Sequence, residues 1–130
     1  MKDLGNTRKD VLEEAYKLGV LKSSETAINI ALAVGETIAD CRIHGGCEKI
    51  DISVAKVSKG IDIKIVAPCY SEPDLVKRWF DCDCMNVAPN EENGRGCGIA
   101  RSVTNEIQYH SGVIDLIFNL SPVEQALAGA

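Results

Sequence analysis

The chain has 130 residues, enough for one domain around one core and too few for two. With 45% hydrophobic and 25% charged residues it is neither a disordered nor a low-complexity chain. Fourteen Lys and Arg against nineteen Asp and Glu give a net charge of −5, and the cations form no block in the sequence, which argues against nucleic acid as the main ligand.

The first helix is expected from Arg8 to about Leu18, capped by Asn6 or Thr7, with Val11, Leu12, Ala15 and Leu18 on one stripe and Gly19 as its stop. Ser23 or Ser24 opens a second helix running through Ile43. Its first half is apolar on nearly every side, so it belongs in the middle of a core. The longest near-apolar run, 27–35, is broken by Asn29 and is far shorter than the roughly 20 residues of a membrane span. Met1 to Asn6 turns polar at once, without the apolar stretch of a secretory signal, so a cytoplasmic protein is expected. In that compartment the six cysteines are expected as reduced thiols and not as a disulfide framework.

After Gly45 and Gly46 the hydrophobic period changes to two. Ile50, Ile52 and Val54 alternate with polar or small residues, as do Ile61, Ile63 and Ile65 after Ser58-Lys59-Gly60, which predicts a hairpin with one buried face. Residues 74–80 form a short amphipathic segment holding Trp79 and Phe80, expected to pack in the core or on a lid. The polar stretch 81–98, rich in Asn, Gly and Cys, is long enough for a functional loop. A third helix over 98–105 and a second hairpin, 107–109 with 114–120, complete the pattern, with a short or frayed helix after Pro122. His110 beside the turn is expected in solvent. Helices followed by hairpins, without single-strand alternation, predict an α/β (α+β) two-layer sandwich, with helices on one face of a mixed, largely antiparallel sheet.

Two constellations carry chemistry. Glu36, Asp40 and His44, spaced by four, share one face of the second helix, where burial is costly unless they meet a ligand, a metal or water. The plainer reading is a helix emerging into solvent near its C-terminal end. The second is Gly94-Arg95-Gly96-Cys97-Gly98 leading into Ile99-Ala100-Arg101-Ser102, where glycines admit close approach to phosphate and free N–H groups attract anions. It fits neither the dinucleotide fingerprint nor the P-loop.

Together, Glu36-Thr-Ile-Ala-Asp40-Cys-Arg-Ile-His44-Gly45-Gly46 and Gly94-Arg-Gly-Cys-Gly-Ile-Ala-Arg-Ser-Val-Thr-Asn-Glu106 resemble the N-box and glycine box of the GHKL (Bergerat-fold) ATPases, nearest to the anti-sigma-factor serine kinases. The resemblance spans roughly 24–120 and implies one GHKL ATPase-like domain over 1–130. It also implies Glu36 as general base, Asp40 in place of the family's Asn as the Mg²⁺ ligand, and Gly94, Gly96 and Gly98 on the phosphates of ATP. His44, Arg95 and Cys97 would be further cofactor-binding positions. A hard carboxylate oxygen suits Mg²⁺, while adding negative charge beside the triphosphate. The implied activity is phosphorylation of a partner protein on serine, by a homodimer that captures a sigma factor and yields it to an antagonist, with no direct nucleic acid and no membrane.

The sequence departs from the family in two places. Where the family reads the adenine amine with an Asp after the strand, this chain has Ala67-Pro68-Cys69, and only Glu72 or Asp74 could stand in. A hydrogen bond lost there costs about 1–3 kcal/mol. Only residues 1–6 precede the first helix, so the family's opening edge strand is either absent or replaced by a partner or a second copy. A second reading follows: a degenerate GHKL-fold module that binds protein, or a sensor whose thiols Cys69, Cys82, Cys84 and Cys97 hold Zn²⁺ or an iron–sulfur cluster or respond to redox. Cys41 is expected to be buried as a small apolar side chain.

Overall fold

The computed structural model describes residues 4–68 and 99–128, with backbone alone for 4–6, 44, 45 and 128, and all that follows concerns those residues. Helix α1 (Leu4–Lys17) is followed by α2 (Glu25–Gly45), then by strands β1 (Asp51–Val57) and β2 (Gly60–Val66). A helical stretch at 99–103 leads into β3 (Glu106–His110) and β4 (Val113–Asn119), and α3 (Pro122–Ala128) closes the described chain.

Helix α1 starts at Leu4, earlier than the Arg8 start expected from a cap at Asn6 or Thr7, so both polar residues lie within its first turn, where backbone N–H groups have no helical partner to lose. Gly19, with φ of 117°, stops it as expected. Ser24 caps α2, its Oγ accepting from the amide of Ala27 at 3.1 Å, and Glu25 places a carboxylate in the positive first turn. At the other end Gly46 takes the left-handed conformation, φ 64°, and its amide donates to the carbonyl of Cys41. A mid-helix glycine costs about 1 kcal/mol against alanine. Gly35 has a packing reason: a Cβ there would press on the Arg8 side chain of α1 at 3.3–3.4 Å.

The sheet order is β1-β2-β4-β3. Every pairing is antiparallel, so the described strands form a purely antiparallel sheet where a mixed one was expected. Ile61, Ile63 and Ile65 of β2 lie opposite Phe118, Leu116 and Ile114 of β4, and all six are buried. They meet Val11 and Ala15 of α1 and Ile30, Ala33, Val34 and Ile38 of α2 in one core. Burying each large aliphatic side chain contributes about 1.5–3 kcal/mol, so this layer dominates the stability. At the outer strands Ile52, Val54, Ile107 and Tyr109 are only partly covered.

Two tight turns set the register. Ser111 and Gly112, both at positive φ (46° and 84°), join β3 to β4 in the geometry that matches strand twist. Gly60 is needed at the start of β2 because a Cβ there would fall on the carbonyl of Phe118 in the neighbouring strand. Among the described residues no strand precedes α1, and β1 forms one edge of the sheet.

Candidate functional site

Helix α2 packs against α1 and against β4 of the sheet. Along its C-terminal half Glu36 is half-buried, and Asp40, one turn on, is only 6% exposed. Between them Thr37 is fully buried, and its Oγ1 makes no hydrogen bond. Positions 36, 37 and 40 adjoin at helical spacing, so two carboxylates and a buried hydroxyl with unused capacity share this part of the helix. All three offer hard oxygen, the donor chemistry that Mg²⁺ takes. The plainer expectation, that the helix emerges into solvent here, does not describe Asp40. His44 lies on the same helix in sequence register, and its side chain is outside those described.

The residue after β2 is fitted to the β3–β4 turn. Ala67 is fully buried, and its amide donates to the carbonyl of Gly112 at 2.8 Å. A Cβ on Gly112 would stand 3.2 Å from the Ala67 carbonyl, so turn and strand end are closely fitted. No side chain at 67 or 68 presents a carboxylate to a base edge. The glycine-box residues Gly94, Arg95, Gly96, Cys97 and Gly98 lie outside the described residues, as do Cys69, Cys82, Cys84, Trp79, Phe80, Glu72 and Asp74. Among the described residues no three His, Cys, Asp or Glu side chains gather to hold a metal.

Cys41 and Cys47 are both free thiols and 1% exposed. Burial pushes the Cys41 thiol up to about 12, with Cys47 and Asp40 adding repulsion against a thiolate. It is therefore an unreactive core thiol, as expected from sequence. His110, at the end of β3, is exposed. The other face of α2 borders a groove of about 720 Å³, where Ile38 and Arg42 meet Val11 and Asp10 of α1 and the inward residues Ile52 and Val54 of β1.

Two carboxylate centres were not foreseen. Glu124, in the first turn of α3, is fully buried. It accepts from the amides of Ser121 (3.0 Å) and Leu21 (2.8 Å) and from the hydroxyls of Thr26 (2.7 Å) and Ser24 (3.3 Å). Its own amide donates to Ser121 Oγ at 3.2 Å, so Ser121-Pro122-Val123-Glu124 is a capping box whose carboxylate also serves the start of α2. Burial by itself would raise this carboxyl, but the Ser121 amide, the Thr26 hydroxyl and the Leu21 amide outweigh it and hold it below the usual range. The Ser-x-x-Glu spacing carried half of this message, the half local to α3.

The second centre lies on the outer face of the sheet. Asp115 of β4 pairs in register with Lys64 of β2, one step diagonal from Asp62. Lys64 Nζ is 4.0 Å from Asp115 Oδ1, and Asp115 is 8% exposed. Burial raises the Asp62 carboxyl to about 6, with a hydrogen bond to Asp115 and its charge adding and Lys64 opposing.

Among the described residues no helix is long and apolar enough to cross a membrane. Compared with models of protein families the chain matches none, and a search of curated proteins likewise finds no match.

Proposed function

We propose that this chain is a GHKL-type regulatory domain of the anti-sigma serine-kinase kind, which binds Mg-ATP and acts on a partner protein in the cytoplasm as a homodimer. The observation that carries the reading is the pair Glu36 and Asp40 one turn apart on the long central helix, Asp40 buried beside the unpaired hydroxyl of Thr37, on the helix that packs behind the antiparallel sheet. The two-layer arrangement suits the Bergerat class, and the glycine-box sequence at 94–98 supplies backbone amides for an anion.

In this reading bound Mg-ATP supplies the phosphoryl group. Glu36, partly exposed, takes the proton from the acceptor serine hydroxyl. Asp40 and Thr37 offer oxygens on the metal side, and the glycine box orients the phosphates. A second reading is favoured by Ala67: with a buried methyl where the family has an adenine-binding carboxylate, the same fold serves as a protein-binding module without nucleotide.

A thermal-shift titration with ATP and Mg²⁺ separates them, because a ligand that binds only the folded state raises Tm with its concentration. The proposal expects a rise for the wild type, its loss in Gly96→Val, and its retention in Glu36→Ala with phosphotransfer abolished. No rise at millimolar nucleotide discards the kinase and leaves the module.

A further inference from the structure

We infer that the outer surface of the α1–α2 hairpin is a docking site for an acidic, amphipathic segment of a partner protein. The chain as a whole carries −5, yet folding gathers four cations, Arg8, Lys9, Lys17 and Lys22, around one groove of about 830 Å³. Its apolar floor is Leu12 and Tyr16, and Glu13 is the one carboxylate on its lining. Arg8, Lys9 and Lys17 line one side of α1 at helical spacing, and the fold adds Lys22 from beyond the loop after Gly19.

The four cations differ in what they have left to give. Lys17 is committed to Glu14 at 3.1 Å, and Lys22 sits over the Tyr16 ring at 5.8 Å from its centre, fixing one wall by a cation–π contact. Arg8 lies against Gly35 of α2, and its Nε is buried without a hydrogen bond. Lys9 is exposed. Beyond the groove, Arg8 touches α2 at Gly35. Helical periodicity sets Leu32 and Ile28 on the side of Gly35, one and two turns earlier, and they are 42% and 55% exposed.

A simple inorganic anion would satisfy the cations and leave Leu12, Tyr16, Leu32 and Ile28 unused. Nucleic acid would meet the same apolar strip and a strongly acidic remainder of the molecule. A segment with carboxylates along one edge and apolar side chains along the other answers both halves of the surface, and the charge contrast steers it to this face. None of these residues belongs to the nucleotide reading, so the two stand or fall separately.

The test uses the full chain and a fluorescein-labelled helical peptide bearing Leu on one face and Glu on the flanks, followed by anisotropy. The wild type is expected to bind it, more weakly as salt is raised, and Lys9→Glu/Lys22→Glu to weaken binding about tenfold or more. Leu32→Ser should weaken it as well, while Lys56→Glu on β1 leaves it unchanged. The inference is overturned if the wild type does not bind, if Lys56→Glu weakens binding as much as the double variant, or if a Glu peptide lacking Leu binds equally well. Binding to anionic lipid vesicles in place of the peptide would also overturn it.

Discussion

Glu124 and the Asp62–Asp115 pair solve the problem of a carboxylate away from water in opposite ways. Glu124 is surrounded by donors drawn from two helix starts, and its charge is the favoured form. Asp62 faces another carboxylate with one lysine beside them, so its proton is the favoured form until the pH is well above the usual carboxylate range. The difference lies in partners and not in depth, since Glu124 is the more deeply buried of the two and is the one held ionised. Burial sets the size of the stakes, and the hydrogen bonds offered decide which protonation state wins.

The contrast breaks most visibly at Glu124. Replacing it by Ala leaves the amides of Leu21 and Ser121 without their acceptor and detaches α3 from the start of α2, an expected loss of about 3 kcal/mol in urea unfolding. The pH sign follows from the lowered carboxyl. Its contribution is present above the ordinary value of 4.5 and disappears as pH falls through it and below. Glu124→Gln should therefore flatten the acid limb of the stability curve, and an unchanged limb would show that the charge is not what the donors hold.

Asp62 has the reverse sign. Its folded-state value of about 6 lies above the ordinary 3.8, so the folded chain holds the proton more tightly and stability falls as pH rises through that interval. Asp62→Asn is expected to stabilise by about 0.5–1 kcal/mol at neutral pH, discounted for its partial exposure, and by nearly nothing at pH 4. An equal gain at both pH values would mean that the pair shares no proton. Lys64→Met should have the smallest effect, a loss of at most about 0.5 kcal/mol with the falling limb moved to higher pH, since the 4.0 Å pair is half-exposed. If the limb moves to lower pH instead, Lys64 is not the cation that opposes Asp62.

These centres also divide what was legible from what was not. The period-two runs through Ile61, Ile63 and Ile65 and through Ile114, Leu116 and Phe118 announce strands with one buried face, because successive side chains must point to opposite sides. Ser24 announces a helix start, and Gly19 an end, through chemistry contained in a few adjacent residues. The spacing of Glu36 and Asp40 places them on one helix face, but that Asp40 is buried beside an unpaired Thr37 depends on what packs there.

What the sequence by itself determined is thus local and periodic: the extents of α2 and the two hairpins, their apolar faces, and the serine cap of α2, all governed by backbone geometry over a single turn or strand. The tertiary structure alone decided the strand order, the meeting of Glu124 with Leu21 across 103 residues, and the diagonal placement of Asp62 and Asp115. It also brought Lys22, beyond the loop after Gly19, onto the same groove as Arg8 and Lys9. The reason is physical: hydrophobic burial is non-directional and tells each element only which face to hide, whereas the partner of a charge is fixed by which elements that burial brings together.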